Sequence, residues 1–305
     1  MIKKRWIVLI VLVLAVVLFY NFPVSQPSFA ELYQAVDEPV RNSLKAFREN
    51  HPPRTLAVGE LLWNYIALGQ GEKAVLFLHG MTGSYDIWWQ QILDLQADYK
   101  MIAVSYPPAD SLKLMGEGIL AILKAEGISK VHMVGSSLGG YFTQYLVATY
   151  PGLIEKAIFA NTFPPNKIQA EKNKTLGKLL PYFPEWAVML FLRKSTETGL
   201  YPASGNSELV KAFMFEQSYG MMSKKQFLNR FYCVIDPFTP PDIENLKTPV
   251  LILEADNDPL VELELREMLK KTYPTAGVKT LHAVGHFSYL NEPETYIRIL
   301  REFFN

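Results

Sequence analysis

The chain has 305 residues, 49% of them hydrophobic, so it can bury a large core, and disorder is not the reading. Thirty basic residues balance thirty acidic ones, so no global field recommends a nucleic acid, and no stretch combines basic clustering with interleaved stacking aromatics. The single cysteine, Cys233, excludes an intramolecular disulfide and a cysteine-rich zinc site and reads as a buried small hydrophobe.

At the N-terminus Lys3, Lys4 and Arg5 precede an uninterrupted apolar run from Trp6 to Tyr20, which marks a segment directed to a membrane. Its length lies where signal-peptide cores and short spanning helices overlap. A cleavage site has one fair candidate, Ser28-Phe29-Ala30, rather far beyond the run, and Trp6 and Tyr20 suit the two interfaces of a retained span. The expectation is a single N-terminal anchor with the following domain on the non-cytoplasmic side, secretion after cleavage being the alternative. Residues 31 to about 50 carry Leu32, Val36, Val40, Leu44 and Phe47 at near-helical spacing, with Pro39 tolerable in a first turn, so an amphipathic helix is expected on the domain or the membrane surface. "HPPRT" at 51–55 reads as a break.

From there the pattern alternates. Strands are predicted at 61–68, 73–80, 99–108, 130–135 and 155–161, and helices at 86–95, 114–128 and 138–151. Strands alternating with helices imply a mainly parallel sheet covered by helices on both faces, an α/β fold.

"VGSSLGG" (134–140) lies where a strand passes directly into a helix, and Gly135-Ser136-Ser137-Leu138-Gly139 fits the G-x-S-x-G elbow, which presents a nucleophile on a strained turn. The frame selects Ser137 over Ser136. A serine hydroxyl needs a histidine to take its proton and a carboxylate to orient that histidine, and in this architecture they follow in the order Ser, Asp, His. "TPVLILEADNDPLV" (248–261) supplies the acid after a late strand. Asp258 is the choice, with Glu254 and Asp256 read as loop-solvating or turn-forming carboxylates. "VKTLHAVGHFSYLNEPETY" (278–296) supplies a strand through Leu281 and then the candidate base, His286, while His51, His132 and His282 read as surface or strand-borne histidines. The developing oxyanion needs backbone donors: the Leu138 N–H, next to the nucleophile, and the Met81 N–H in the turn "LHGMTGS" (78–84), which His79 and Gly80 shape. "ETYIRILREFF" closes the fold as a helix.

These four segments in this order resemble those of the α/β-hydrolase superfamily: "FLHGMTGS" its oxyanion turn, "VGSSLGGYF" its nucleophile elbow, "LEADNDPLV" its acid and "AVGHFSYLNEPE" its histidine. The resemblance covers roughly residues 56–305 apart from a middle insertion. "KVHMVGSSLGG", "VSYPP" and "SYGMMSKKQFLNRFYC" are similar to maspardin-like proteins, a branch associated with protein binding and an incomplete triad; His286 departs from that pattern and favours catalysis. The dehalogenase and epoxide hydrolase branches carry an aspartate at the elbow, so Ser137 implies an ester or related acyl substrate.

About 85 residues separate the strand ending near Asn161 from the strand beginning near Thr248, which reads as an inserted cap over the site. Tyr182, Phe183, Trp186, Met189, Phe191, Phe213, Met214, Phe215, Met221 and Met222 are expected mostly to pack it onto the core, with a few lining an acyl pocket and some facing lipid. Lys167, Lys172, Lys174 and Lys178 are expected to solubilise its entrance. The division is 1–24 anchor or signal, 25–55 amphipathic spacer, 56–164 first part of the core, 165–240 cap and 241–305 second part of the core. The expected activity is hydrolysis of a small-molecule carboxylic ester with a hydrophobic acyl group, lipid-derived esters included, through an acyl-enzyme and without metal or organic cofactor. A catalytically silent membrane-tethered scaffold and an acyltransferase using the same residues are the alternatives.

Overall fold

A computed structural model describes residues 4–241 and 246–305; Lys3 of the basic N-terminal cluster lies outside them. The apolar run folds as helix α1, Lys4–Tyr20, with no buried residue, so its side chains from Trp6 to Tyr20 meet no protein core. Among the described residues no helix is long and apolar enough to cross a membrane.

The next segment is two helices, not the single one that its spacing suggests. Ser28 caps α2, Phe29–Leu32, in a reciprocal pair with Glu31. A turn then leads into α3, Glu38–Asn50, whose first turn holds Pro39, where a missing N–H costs nothing. Tyr33, Val36, Leu44 and Phe47 are buried in the main core, so this segment packs on the domain. Arg48 fastens it, donating to Asp86 at 2.6 Å and to the two Glu216 oxygens at 2.8 and 2.7 Å.

Eight strands form one sheet in the order β1-β2-β4-β3-β5-β6-β7-β8. They are β1 Arg54–Val58, β2 Leu61–Leu68, β3 Ala74–Leu78, β4 Lys100–Ser105, β5 Val131–Ser136, β6 Ile154–Ala160, β7 Val250–Ala255 and β8 Gly277–Leu281. β2 pairs antiparallel with both β1 and β4, and all other pairings are parallel. β1 corrects the reading of 51–55 as a break: Arg54 and Thr55 already pair with Tyr65 and Asn64 in an exposed edge strand.

Alternation along β3 shows why the sheet needs cover on both sides. Val75 and Phe77 enter one apolar cluster while Leu76 and Leu78 enter another, as the period-two geometry of a strand requires. The helices α4 Trp89–Leu95, α5 Leu112–Ala125 and α6 Leu138–Thr149 follow β3, β4 and β5. Between β6 and β7 the chain forms α7 Lys167–Leu179, α8 Glu185–Ser195, α9 Tyr201–Ala203, α10 Glu208–Glu216 and α11 Lys224–Val234. α12 Leu263–Thr272, α13 Ser288–Asn291 and α14 Pro293–Phe304 complete the fold.

The bulky side chains of the insertion are less enclosed than expected. Met189, Phe213, Met214 and Met222 are buried, Trp186 and Phe215 half-buried, and Tyr182, Phe183, Phe191 and Met221 exposed. Trp186 faces α1 instead of the core, donating to the Phe19 carbonyl at 2.7 Å and meeting the Phe19 ring edge-on at 5.3 Å.

Candidate active site

β5 runs into α6 through Ser137, whose φ of 57° and ψ of −121° lie in a region that L-residues rarely adopt. The surroundings enforce this strain. The Ser137 N–H donates to the Ala160 carbonyl at 2.9 Å, and its own carbonyl accepts from Thr162 Oγ1 at 2.8 Å. A Cβ on Gly135 would lie 2.1 Å from the Gly139 oxygen, and one on Gly139 would lie 2.0 Å from the Leu78 oxygen, so neither glycine of the frame has room for a side chain. Ser136 is buried in β5, whereas Ser137 opens onto a cavity.

Asp258 and His286 arrive on the loops that follow β7 and β8, adjacent parallel strands that bring residues 28 positions apart together. His286 Nδ1 stands 2.9 and 2.8 Å from the two carboxylate oxygens, and both side chains are almost wholly buried. Asp258 also accepts from the Leu260 and Val261 amides at 2.9 and 3.1 Å and from Asn161 Nδ2 at 2.9 Å. Burial alone would raise the pKa of this carboxyl; the adjacent imidazole and these donors outweigh it and hold the group below the ordinary carboxylate range. An ionised acceptor fixes the proton on Nδ1 and leaves Nε2 free as a base.

The other acidic and histidine positions separate cleanly. Asp256 accepts from the Ala283 amide and pairs at 2.7 Å with His282, which is largely exposed. Glu254 corrects its reading as a loop carboxylate, being buried at the end of β7 with Lys270 at 2.8 Å and Thr280 at 2.9 Å. His132 is buried against the Phe304 ring, and His51 follows the end of α3. Cys233 is buried, and desolvation pushes its thiol up to about 12, far from a reactive thiolate.

The turn after β3 passes directly over the elbow: a Cβ on Gly80 would come within 3.1 Å of Ser137 Cβ. His79 shapes this turn, as expected. It is fully buried, packs its ring at a tilt on Tyr106 with 3.9 Å between ring centres and bonds the Gly80 carbonyl through Nδ1 at 2.6 Å. Desolvation, then the nearby Arg230 cation, lowers its pKa far below the ordinary value, so the ring is neutral. Met81 lines the cavity beside Ser137, and Leu138 begins α6, where an N–H has no partner within the helix.

Ser137, Met81 and His286 face one cavity of about 450 Å³. Leu176, Phe191, Met214, Met222, Phe227 and Phe231 supply its apolar wall from the insertion. Lys172, one of the lysines expected at the entrance, lines it and pairs with Glu262 at 2.9 Å. Among the described residues no group of three or more His, Cys, Asp or Glu side chains is placed to hold a metal ion.

Three residues in this arrangement were not singled out from sequence: Asn161, Thr162 and Arg230. Arg230 had a local signal, since it shares a helical face with Phe227 and Phe231, an unusual place for a charge.

Residues 75–299 match the model of the alpha/beta hydrolase family. Human Epoxide hydrolase 4 is 24% identical over 280 residues, 80% of this chain and 75% of that one. Mouse Maspardin is 28% identical over 240 residues, 74% of this chain and 73% of that one. A solved hydrolase from Pseudomonas aeruginosa superposes with a TM-score of 0.69 at 19% identity, over 83% of this chain and 98% of that one. The enzymes named among the relatives are hydrolases, which supports hydrolysis as the general activity. The matched span runs from the start of β3 into α14 and so takes in the elbow, the acid and histidine loops and the insertion: the chain belongs to the alpha/beta hydrolase family.

Proposed function

We propose that this protein is a serine hydrolase of carboxylic esters with hydrophobic acyl groups. The observation that carries the reading is the convergence of a strained Ser137 and the buried His286–Asp258 pair on one apolar cavity. Ser137 Oγ attacks the ester carbonyl while His286 Nε2 takes its proton. Asp258 keeps the imidazole oriented and stabilises the imidazolium, and the Met81 and Leu138 amides receive the oxyanion. The protonated histidine then gives its proton to the departing alcohol. Water, deprotonated by the same histidine, attacks the acyl-enzyme and releases the acid and free Ser137. α7–α11 form the cap, whose aromatic and methionine side chains receive the acyl chain.

Hydrolysis of p-nitrophenyl esters from acetyl to palmitoyl, by the parent and by Ser137→Ala, tests this reading. Chain-length-dependent turnover abolished by the substitution supports it; equal background rates in two folded proteins refute it.

We also propose that α1 inserts into a membrane, with the catalytic domain on the non-cytoplasmic side. Seventeen residues extend about 25 Å at 1.5 Å each, short of a typical hydrocarbon core, so insertion requires local thinning or anchoring by flanking residues. A helix that is apolar on every face from Trp6 to Tyr20, buries none of these residues and touches the rest of the described protein only near its C-terminal end supports the proposal. Release of the full chain from membranes by alkaline carbonate would count against it; retention, with protease access from the non-cytoplasmic side, is expected.

A further inference from the structure

Arg230 lies on α11 at 2% exposure, and among the described residues no carboxylate pairs with it. Its donors go to backbone oxygens: Nη1 to Met81 at 2.7 Å and Gly83 at 3.1 Å, and Nη2 to Tyr106 at 3.1 Å. Nη1 also lies 3.3 Å from Met222 Sδ, while Nε has no hydrogen-bond partner. Desolvation lowers its pKa to about 10, so the guanidinium remains charged at neutral pH.

Burying an unpaired cation is costly, and a side chain that merely filled this space need carry no charge. The location of its hydrogen bonds indicates what the charge does. Two of the three carbonyls belong to the turn that overlies Ser137, and the third belongs to Tyr106, whose hydroxyl donates to the His79 carbonyl at 3.0 Å. The fork of one cap residue thus holds the oxyanion turn at Met81 and Gly83 and also the residue after β4 that supports it. Of the ionisable groups beside the turn, His79 is neutral and Asp86, which accepts from Ser84 Oγ, is already paired with Arg48, so among the described residues the Arg230 charge has no carboxylate of its own there.

We propose that Arg230 is a positioning residue that links the seating of the cap to oxyanion stabilisation. With α11 seated, its guanidinium fixes the Gly80–Gly83 backbone, so that the Met81 amide faces the cavity beside Ser137, and its uncompensated charge favours the anion formed in the tetrahedral intermediate. The inference rests on the ester-hydrolase reading. It makes the cap part of the catalytic apparatus as well as a pocket wall: displacement of α11 withdraws the fork and relaxes the turn.

The test compares the full-length parent with Arg230→Gln, Arg230→Lys and Arg230→Met, using rates divided by the concentration of sites titrated with a serine-directed phosphonate. Normalisation removes any fraction that fails to fold. The expected result for Arg230→Gln and Arg230→Met is a fall in kcat per titrated site of about 100-fold with KM changed less than about threefold, and a smaller fall for Arg230→Lys. The parent's preference for an ester over its thionoester should also shrink in the neutral variants, because sulfur uses an oxyanion site poorly; loss of a purely structural contact leaves that ratio unchanged. An active parent with unchanged kcat per site and unchanged ester-to-thionoester ratio in Arg230→Gln overturns this proposal alone. A folded parent that neither turns over esters nor reacts with the phosphonate overturns the hydrolase reading and this proposal with it.

Discussion

Asn161 Nδ2 donates to Asp258 Oδ2 at 2.9 Å, across 97 positions of sequence. Its Oδ1 accepts from Ser288 Oγ at 3.2 Å, so the amide is oriented from behind. The carboxylate that holds His286 therefore depends on the end of β6, the strand that pairs with β5. Asn161→Ala should lower kcat about tenfold with little change in KM, of the order expected for one lost bond to a charged group. Because a donor to the ionised form is lost, the Asp258 pKa should rise, and activity on the acid side should fall at a higher pH than in the parent. A pH–rate profile of both proteins checks the direction, and an unmoved acid limb would count against this role.

Asp258 and Asp256 differ in what they orient. Asp258→Asn should reduce kcat by about 10³- to 10⁴-fold, since an amide favours the wrong imidazole tautomer. Asp256→Asn should change kcat less than about threefold, because its partner His282 is exposed and does not line the cavity. Steady-state kinetics of the pair give a contrast that neither variant gives alone.

The elbow separates stability from function. Ser137 holds a positive φ that glycine adopts without penalty, so Ser137→Gly should be more stable than Ser137→Ala by about 1 kcal/mol, with both inactive. Urea unfolding measures this difference. Gly139→Ala should fail to fold or lose several degrees of thermal midpoint, as its Cβ would lie 2.0 Å from the Leu78 oxygen.

Buried His132 makes stability depend on pH. Burial first, with a smaller contribution from Lys73 and Lys156 and against the pull of Glu155, lowers its pKa to about 4 from an ordinary value of 6.5. Between those values the unfolded chain binds a proton that the native protein does not. Native stability is therefore lost as pH falls from about 6.5 toward 4 and is fully present above that window. His79 is shifted in the same direction. His132→Phe, stacked on Phe304, should lose about 2 kcal/mol less stability than the parent between pH 7 and pH 5. Urea unfolding at the two pH values reads the difference, and equal losses would refute it.

The segments proposed to be catalytic were legible because each is local. The glycine frame around Ser137, the loop bearing Asp258 and the loop bearing His286 each occupy a few residues next to a strong strand signal. The edge strand β1 was hidden because Arg54 and Thr55 are polar, exposed and directly preceded by Pro52 and Pro53. The single helix read over 31–50 ignored that Asp37 and Pro39 start a new helix as readily as they continue one. Arg230 and Asn161 were missed for another reason: their partners lie 149 and 97 positions away, and only the folded sheet and cap bring them together. The exposure of Tyr182 and Phe191 likewise depends on which cap faces remain uncovered, which apolar content alone does not specify.

The central claim is that Ser137, activated by His286, forms the covalent intermediate. Incubating the full-length protein with a serine-directed fluorophosphonate and locating the added mass by peptide mass spectrometry tests it most directly. One equivalent on Ser137, parallel loss of esterase activity, no labelling of Ser137→Ala and much slower labelling of His286→Ala are the predicted results. A folded parent that remains unlabelled, or is labelled at Ser136 or elsewhere with its activity intact, would contradict the account.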